Sequence, residues 1–265
     1  MNILAIDIGN TNIKFGLFLE GEAQPVKSVG VNDDENIRST LHSLWEQVPA
    51  APRSKEKLRD AVIVVCSVNP PATERFRTAV SEEIKEKILE IGLDKDVPLP
   101  IKLGVEYPAD VGVDRVLAAA AAYLVVEQPV IVADFGTAIT IDAVDDDGTF
   151  MGGIIAPGIA VSAKSLAENT AKLPEIVVNK PVMTLGGNTR DAINNGIYFA
   201  AVGLLETTCR KFAEEMEVWP QTIVTGDGAE TIKEDCKFVD NWVPSLVIKG
   251  IVLAYMKYIQ ERPVS

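Results

Sequence analysis

Only three cysteines occur in the 265 residues, Cys66, Cys209 and Cys236, and no C-x-x-C pair is among them. That spacing suggests neither a disulfide framework nor a thiolate zinc site, and it points to structural or incidental thiols in a reducing compartment. The single histidine, His42, lies far from every motif and is expected on the surface, with no role as base or ligand. Aromatic residues are few, at 8 Phe, 5 Tyr and 3 Trp. Val, Ile, Leu and Ala carry most of the 47% apolar content, which suits buried strands and packing helices in an α/β protein. Basic residues fall short as well, 25 against 38 acidic, for a net charge of -13. A field of that sign repels a nucleic-acid backbone, so no nucleic-acid partner is expected. A small polyanion is still admissible where backbone N–H groups and a divalent cation receive it locally. Long apolar runs are missing too: the stretch from Ala118 is closed by Glu127 and Pro129, short of the ~18 residues of a membrane span. The opening MNILAIDIGNT lacks a basic n-region and places Asp7 inside its apolar run, unlike a signal peptide. A cytoplasmic protein without membrane partners is the expectation.

The length exceeds one typical domain, and two are expected, 1–128 and 129–265. The periodicity predicts strands over Asn2 to Asp7 and Lys14 to Leu19, joined by the polar turn Gly9-Asn10-Thr11-Asn12, and a third near Val26 to Val31. A helix follows from Asp34 to Gln47, with Ile37, Leu41 and Leu44 on one face and Pro49 and Pro52 ending it. Ala61 to Ser67 is a continuous β-branched run fit for a central strand, and Asn69-Pro70-Pro71 leads into a helix from Ala72 to about Ile91. After an Ala-rich helix from Arg115 to Val126, the opening pattern returns. Val130 to Ala133 runs into Asp134-Phe135-Gly136-Thr137, Ile139 to Val144 follows, and an Asp/Gly turn closes the unit. This internal duplication of strand, Asp-x-Gly turn and strand is the most informative feature of the chain. Further helices are expected near Ala160 to Ala171, Thr189 to Met216 and Pro244 to Gln260.

The two turns carry the chemistry. Gly9 lets the backbone turn tightly beside a bulky ligand, while Asn10, Thr11 and Asn12 supply donors for phosphate oxygens. Asp7 cannot approach a phosphate without a cation, so its natural role is to hold Mg²⁺, directly or through water. Lys14 neutralises further charge or, on a period-two strand, points elsewhere. Asp134 to Thr137 offers the same chemistry from the second domain, so a triphosphate would be gripped between two hairpins across an interdomain cleft. A third segment, Val224-Thr225-Gly226-Asp227-Gly228-Ala229, runs from a strand through a glycine turn toward a helix start. One Asp-x-Gly at a strand end is usually only a turn; three such segments in this order form a pattern. They resemble the acetate kinase, sugar kinase, actin and Hsp70 superfamily. That resemblance implies two duplicated actin-like (ribonuclease H-like) α/β domains with an interdomain ATP cleft, the third segment serving as the adenosine turn.

Within that superfamily, DIGNTNIKFGLF from Asp7, GVDR from Gly112, DFGTAITIDAV from Asp134, GGIIAPGI from Gly152, TAKLPEI from Thr170 and GGNTRDAINNGI from Gly186 resemble the motifs of type III pantothenate kinases, in matching order and spacing. The resemblance covers residues 2 to about 230. It implies ATP-dependent phosphorylation of pantothenate to 4'-phosphopantothenate, the first step of coenzyme A biosynthesis, by a homodimer. Asp7, Ile8, Gly9, Asn10, Thr11, Asn12, Ile13 and Lys14 would form the first ATP segment, with Thr137 also contacting ATP. Gly112, Val113, Asp114, Arg115 and Thr189 would contact pantothenate, Asp114 as proton acceptor. Asp134 would help bind the monovalent cation, K⁺ or NH₄⁺, alongside Mg²⁺.

Elementary chemistry is compatible with these roles. Phosphoryl transfer through a loose transition state needs little early proton removal, so Asp114 can orient the hydroxyl and take its proton late, with a pKa in the ordinary range. Arg115 presents a planar fork suited to a carboxylate or phosphate. The bland alternatives are a solvated Asp114–Arg115 pair at a helix N-terminus and Thr189 as a helix cap. Two departures from the family pattern stand out. Tyr107 directly precedes Pro108 instead of lying a few residues upstream of an Asn-Pro pair, and the adenosine turn reads Thr-Gly-Asp-Gly, where Asp227 either binds ribose hydroxyls or weakens ATP binding. The competing functions are a related small-alcohol kinase and a non-catalytic nucleotide-binding regulator.

Overall fold

The computed structural model describes residues 1–50 and 59–262; Pro52, expected to help end the first helix, lies outside the described residues. The elements in chain order are β1 (Asn2–Ile8), β2 (Asn12–Leu19), β3 (Glu22–Ala23), β4 (Lys27–Gly30), α1 (Asp34–Trp45), β5 (Ala61–Ser67), α2 (Pro70–Glu83), β6 (Ile88–Glu90) and β7 (Lys102–Leu103). They continue with α3 (Val113–Val126), β8 (Val130–Phe135), β9 (Ala138–Val144), β10 (Thr149–Pro157), α4 (Ile159–Glu168), α5 (Thr189–Met216), β11 (Gln221–Thr225), β12 (Asn241–Trp242) and α6 (Leu246–Glu261).

These elements form two compact units. The first comprises Met1–Ile101, Tyr107–Ala121 and Val247–Ser265, the second Lys102–Glu106 and Ala122–Leu246. The C-terminal helix α6, from Val247 on, falls with the first unit. Its anchorage is visible at two glycines. A side chain at Gly250 of α6 would collide with the backbone carbonyl of Leu117 in α3, and one at Gly16 of β2 would collide with Ile248 of α6.

In the first unit the strand order is β3-β2-β1-β5-β6, with β4 also pairing with β2. β1 runs antiparallel to β2 and parallel to β5, placing Asp7 opposite both Lys14 and Cys66. The continuous apolar runs of β1 and β5 follow from burial on both faces. Leu4, Ile6, Ile8, Ile63 and Val65 pack on α1 and α2 through Leu41, Leu44, Phe76 and Val80. The face of α1 read from Ile37, Leu41 and Leu44 is the buried one. α2 stops at Glu83 instead of continuing to about Ile91. Lys85 takes a positive φ of 58°, which breaks the helix, and Ile88–Glu90 becomes a strand that buries Ile88 beside β5.

The second unit repeats the plan. Its order is β12-β11-β8-β9-β10-β7, where β8 is antiparallel to β9 and parallel to β11, as β1 is to β2 and β5. Ile131, Ala133, Phe135, Ile139 and Ile141 face α5 residues Tyr198, Ala201 and Leu205 in a separate core. β10 has no counterpart in the sequence reading, because Gly152 and Gly153 interrupt its apolar pattern. They form a bulge between Phe150 and Gly152, with Gly152 at φ 91°, and a side chain on Gly153 would strike the Ile141 carbonyl.

Candidate active site

The turn between β1 and β2 is closed by the Gly9 N–H donating to Asn12 O at 3.0 Å. A side chain at Gly9 would meet that same carbonyl at 3.2 Å, so the glycine allows the tight reversal. From one flank, the Val31 N–H donates to Thr11 O at 2.9 Å; from the other, the Val68 N–H donates to Ile8 O at 3.2 Å. Asp7, half-buried at the C-terminal end of β1, thus rides on a turn held from both sides, with Asn10 and Thr11 exposed at its tip.

Gly112 to Arg115 form the entry to α3. Asp114 lies in the first helical turn, and its Oδ1 accepts the Arg115 N–H at 2.8 Å. A side chain on Gly112 would approach that oxygen to 2.5 Å and would have to displace the carboxylate. Burial raises the Asp114 pKa above the usual carboxylate value, opposed by the Arg115 N–H and guanidinium charge. The expectation of an ordinary pKa is therefore corrected. Cys66, opposite Asp7 in β5, senses both carboxylates: burial pushes its thiol pKa up, and the charges of Asp7 and Asp114 push it further. The first unit thus gathers Asp7, Cys66 and Asp114 near one another, where the sequence offered Asp7 and Asp114 more than 100 residues apart.

In the second unit Asp134 is the penultimate residue of β8, the position Asp7 has on β1. The Gly136 N–H donates to Ala138 O at 3.0 Å, and the Gly158 N–H to Thr137 O at 3.0 Å. Gly158 has no room for a side chain, which would strike the carbonyls of Gly136 and Thr137. The third glycine segment closes on the same turn: Gly228 N–H donates to Phe135 O at 2.8 Å, and Gly226, at φ 97°, faces Asp134 Oδ1 with no space for a Cβ. Asp134, Thr137 and the Gly226–Gly228 turn are one cluster. Asp227 is exposed on it.

Thr189 is placed differently from one of the local readings. It is the first residue of α5, and Asn188 is the cap, its side chain accepting the Asp191 N–H at 3.0 Å while donating to Asp191 Oδ2 at 2.7 Å. Thr189 is exposed and free of capping duty. Tyr107 is 64% exposed, while its neighbours Pro108 and Ala109 line a cavity of about 520 Å³ in the first unit. That cavity opens at the C-terminal ends of β5 and β6, between Ser67, Thr73, Arg77, Glu90, Val111 and Val113.

The donor sets suit particular cations. No group of three or more His, Cys, Asp or Glu side chains gathers among the described residues, so an all-protein cage for a divalent ion is not built. A single half-buried carboxylate such as Asp7 is what Mg²⁺ needs when water and phosphate supply its other ligands. Asp134 offers a carboxylate oxygen, a hard donor of the kind oxygen-preferring cations take, and Gly226 packs so closely on Oδ1 and on the Phe135 backbone that a side chain there would strike both.

The sequence model of the type III pantothenate kinase family matches residues 3–211. The chain belongs to that family. Type III pantothenate kinases of Agathobacter rectalis and Dehalococcoides mccartyi (strain 195) are 36% and 34% identical to it, over 262 and 257 residues. The match spans 96% of this chain in both cases, and 97% and 96% of the relatives. Among solved structures, a protein described as a Baf family transcriptional activator from Campylobacter jejuni superposes with a TM-score of 0.61 at 18% identity, covering 97% of this chain and 99% of that one. A protein described as an N-acetylmannosamine kinase from Listeria monocytogenes does so with 0.50 at 15%, covering 98% and 99%. At those identities the likeness is one of fold, the duplicated actin-like α/β architecture that the two repeated sheets display.

Within this family member, two structural contributors escaped the sequence reading. Gly158 shapes the Thr137 turn from the start of α4, and Asn69 joins α2 to the Asp7 turn. The signal for the second was present: an Asn before Pro-Pro is a helix cap, and a cap directly after a central strand lies at the strand's C-terminal end.

Proposed function

We infer that the protein is an ATP-dependent kinase that phosphorylates the terminal hydroxyl of pantothenate, giving 4'-phosphopantothenate at the first step of coenzyme A biosynthesis. The observation that carries the catalytic reading is Asp114: a half-buried carboxylate with raised proton affinity, at the head of α3, within electrostatic reach of the same thiol as Asp7. The ATP contacts in this reading are Asp7 to Lys14 and Thr137. Gly112 to Arg115 and Thr189 contact pantothenate, and the cavity beside Val113 has the volume for it, within the roughly 300–1,000 Å³ of small-molecule sites.

In the reaction the substrate hydroxyl oxygen bonds to the γ-phosphorus as the bond to the β–γ bridging oxygen breaks and ADP departs. The hydroxyl proton passes to an Asp114 carboxylate oxygen. Its raised proton affinity makes Asp114 a better late acceptor than a carboxylate in water. The turn N–H groups and Lys14 hold the phosphates, and Arg115 offers its fork to the substrate carboxylate. When bound, Mg²⁺ at Asp7 and K⁺ or NH₄⁺ at Asp134 supply neutralisation of phosphate charge. The reading includes a homodimer, supported by apolar side chains of the second unit that face solvent in one chain, among them Met183, Leu185 and Phe199.

The test is formation of 4'-phosphopantothenate by the purified protein with ATP and Mg²⁺, in K⁺ and in Na⁺. Product dependent on K⁺ is expected; folded protein that binds ATP and yields no product with any cation would overturn the assignment.

A further inference from the structure

We propose that Asn69 is a positioning residue for nucleotide binding, aiming the Asn10 N–H of the phosphate turn by gripping the carbonyl on the other side of the same peptide. The proposal rests on the assignment of Asp7 to Lys14 as the ATP segment. Asn69 caps α2: its Oδ1 accepts the Ala72 N–H at 3.2 Å. That bond fixes which end of the side chain is the amide, and Nδ2 is left to donate to Gly9 O at 3.4 Å. Gly9 O and the Asn10 N–H belong to one trans planar peptide, so they point in opposite directions. Holding the carbonyl toward α2 turns the N–H toward the exposed side of the turn, where a phosphate oxygen would lie.

The surrounding bonds show why Asn69 can exert this control. Thr73 Oγ1 donates to Ser67 Oγ at 2.6 Å, and Ser67 Oγ accepts the Asn69 N–H at 3.0 Å. Ser67 also reaches Ile8 O at 3.5 Å, while the Val68 N–H holds that carbonyl at 3.2 Å. The end of β5 and the first turn of α2 therefore form a rigid frame against Ile8 and Gly9. Gly9 needs such a frame because, without a Cβ, its peptide planes rotate more freely than those of any other residue. Val31 restrains only the far side of the turn, at Thr11.

The two roles of Asn69 separate by substitution. Asn69→Asp keeps an oxygen to cap α2 but faces Gly9 O with a second acceptor; Asn69→Ala removes both bonds. Binding of a non-hydrolysable ATP analogue with Mg²⁺, measured by calorimetry, needs no acceptor substrate. It reads the inference separately from the identity of the alcohol. Asn69→Asp is expected to weaken the analogue by about tenfold or more, with the melting temperature within a few degrees of wild type and KM for pantothenate unchanged. Asn69→Ala is expected to weaken binding similarly and to melt lower. Analogue affinity in Asn69→Asp within twofold of wild type would overturn the inference. So would a loss of affinity accompanied by equal losses in melting temperature and in KM for pantothenate, the mark of a general structural role. Failure of the wild type to phosphorylate pantothenate would overturn the proposed function while leaving this measurement intact.

Discussion

Asp114 links catalysis to a stability cost. Burial raises its pKa, so the folded protein prefers the protonated carboxyl more than the unfolded chain does. A group raised in this way contributes its full stability below its unfolded pKa and loses it as pH rises through the folded value. Asp114→Asn cannot ionise and escapes that loss. The variant is expected to lose activity by about 10²- to 10⁴-fold, the range for removal of a general base. It is also expected to melt above wild type at pH 8, with the gap closing as the pH falls below the ordinary carboxylate range. Thermal melts of both proteins across pH, beside product assays, check the two halves together. A variant that is inactive but also less stable at pH 8 would mean that Asp114 is held by the fold for structural reasons.

At the level of elements, the two units rest on glycines that permit backbone contact. Gly226→Ala would force a side chain onto a positive φ and into Asp134 and Phe135 at once. It is expected to cost about 1–3 kcal/mol and to weaken nucleotide binding, measured by urea unfolding and by titration. Gly250→Ala would push α6 away from the Leu117 carbonyl of α3, lowering the urea midpoint by a comparable energy without changing the slope. Neither contact is legible locally, since Gly250 and Leu117 are far apart in sequence. What was legible follows from periodicity and turn chemistry. Ala61–Ser67 and Thr189–Met216 emerge with the expected bounds because an unbroken β-branched run and a long periodic segment have few alternative readings. The end of α2 was lost because polar residues after Glu83 continue a helical pattern that Lys85 breaks only by its backbone angle. Of the site, both Asp-x-Gly turns and Gly112 to Arg115 were readable as motifs. The raised pKa of Asp114, the cap at Asn188 and the grip of Asn69 depend on burial and on neighbours brought together by folding.

For the whole molecule, charge and apolar exposure act against each other in the proposed homodimer. Each chain carries a net charge of -13, so two copies repel. Association has to draw on apolar area, and the second unit presents it. The Asn195 side chain donates to Met183 O at 2.7 Å and Thr184 O at 3.0 Å, laying that segment along α5 one turn from Phe199. Met183 and Leu185 are 71% and 86% exposed there, far beyond what an isolated chain gains from them. Light scattering is expected to give twice the chain mass of 28.6 kDa, about 57 kDa. Added salt should tighten the assembly, because screening removes repulsion while leaving the apolar contact, the opposite of an interface held by ion pairs. Phe199→Asp should return the mass to that of one chain. A wild-type mass of 28.6 kDa at all salt concentrations would refute the dimer; a dimer that loosens with salt would place the contact at the charged surface instead of this apolar one.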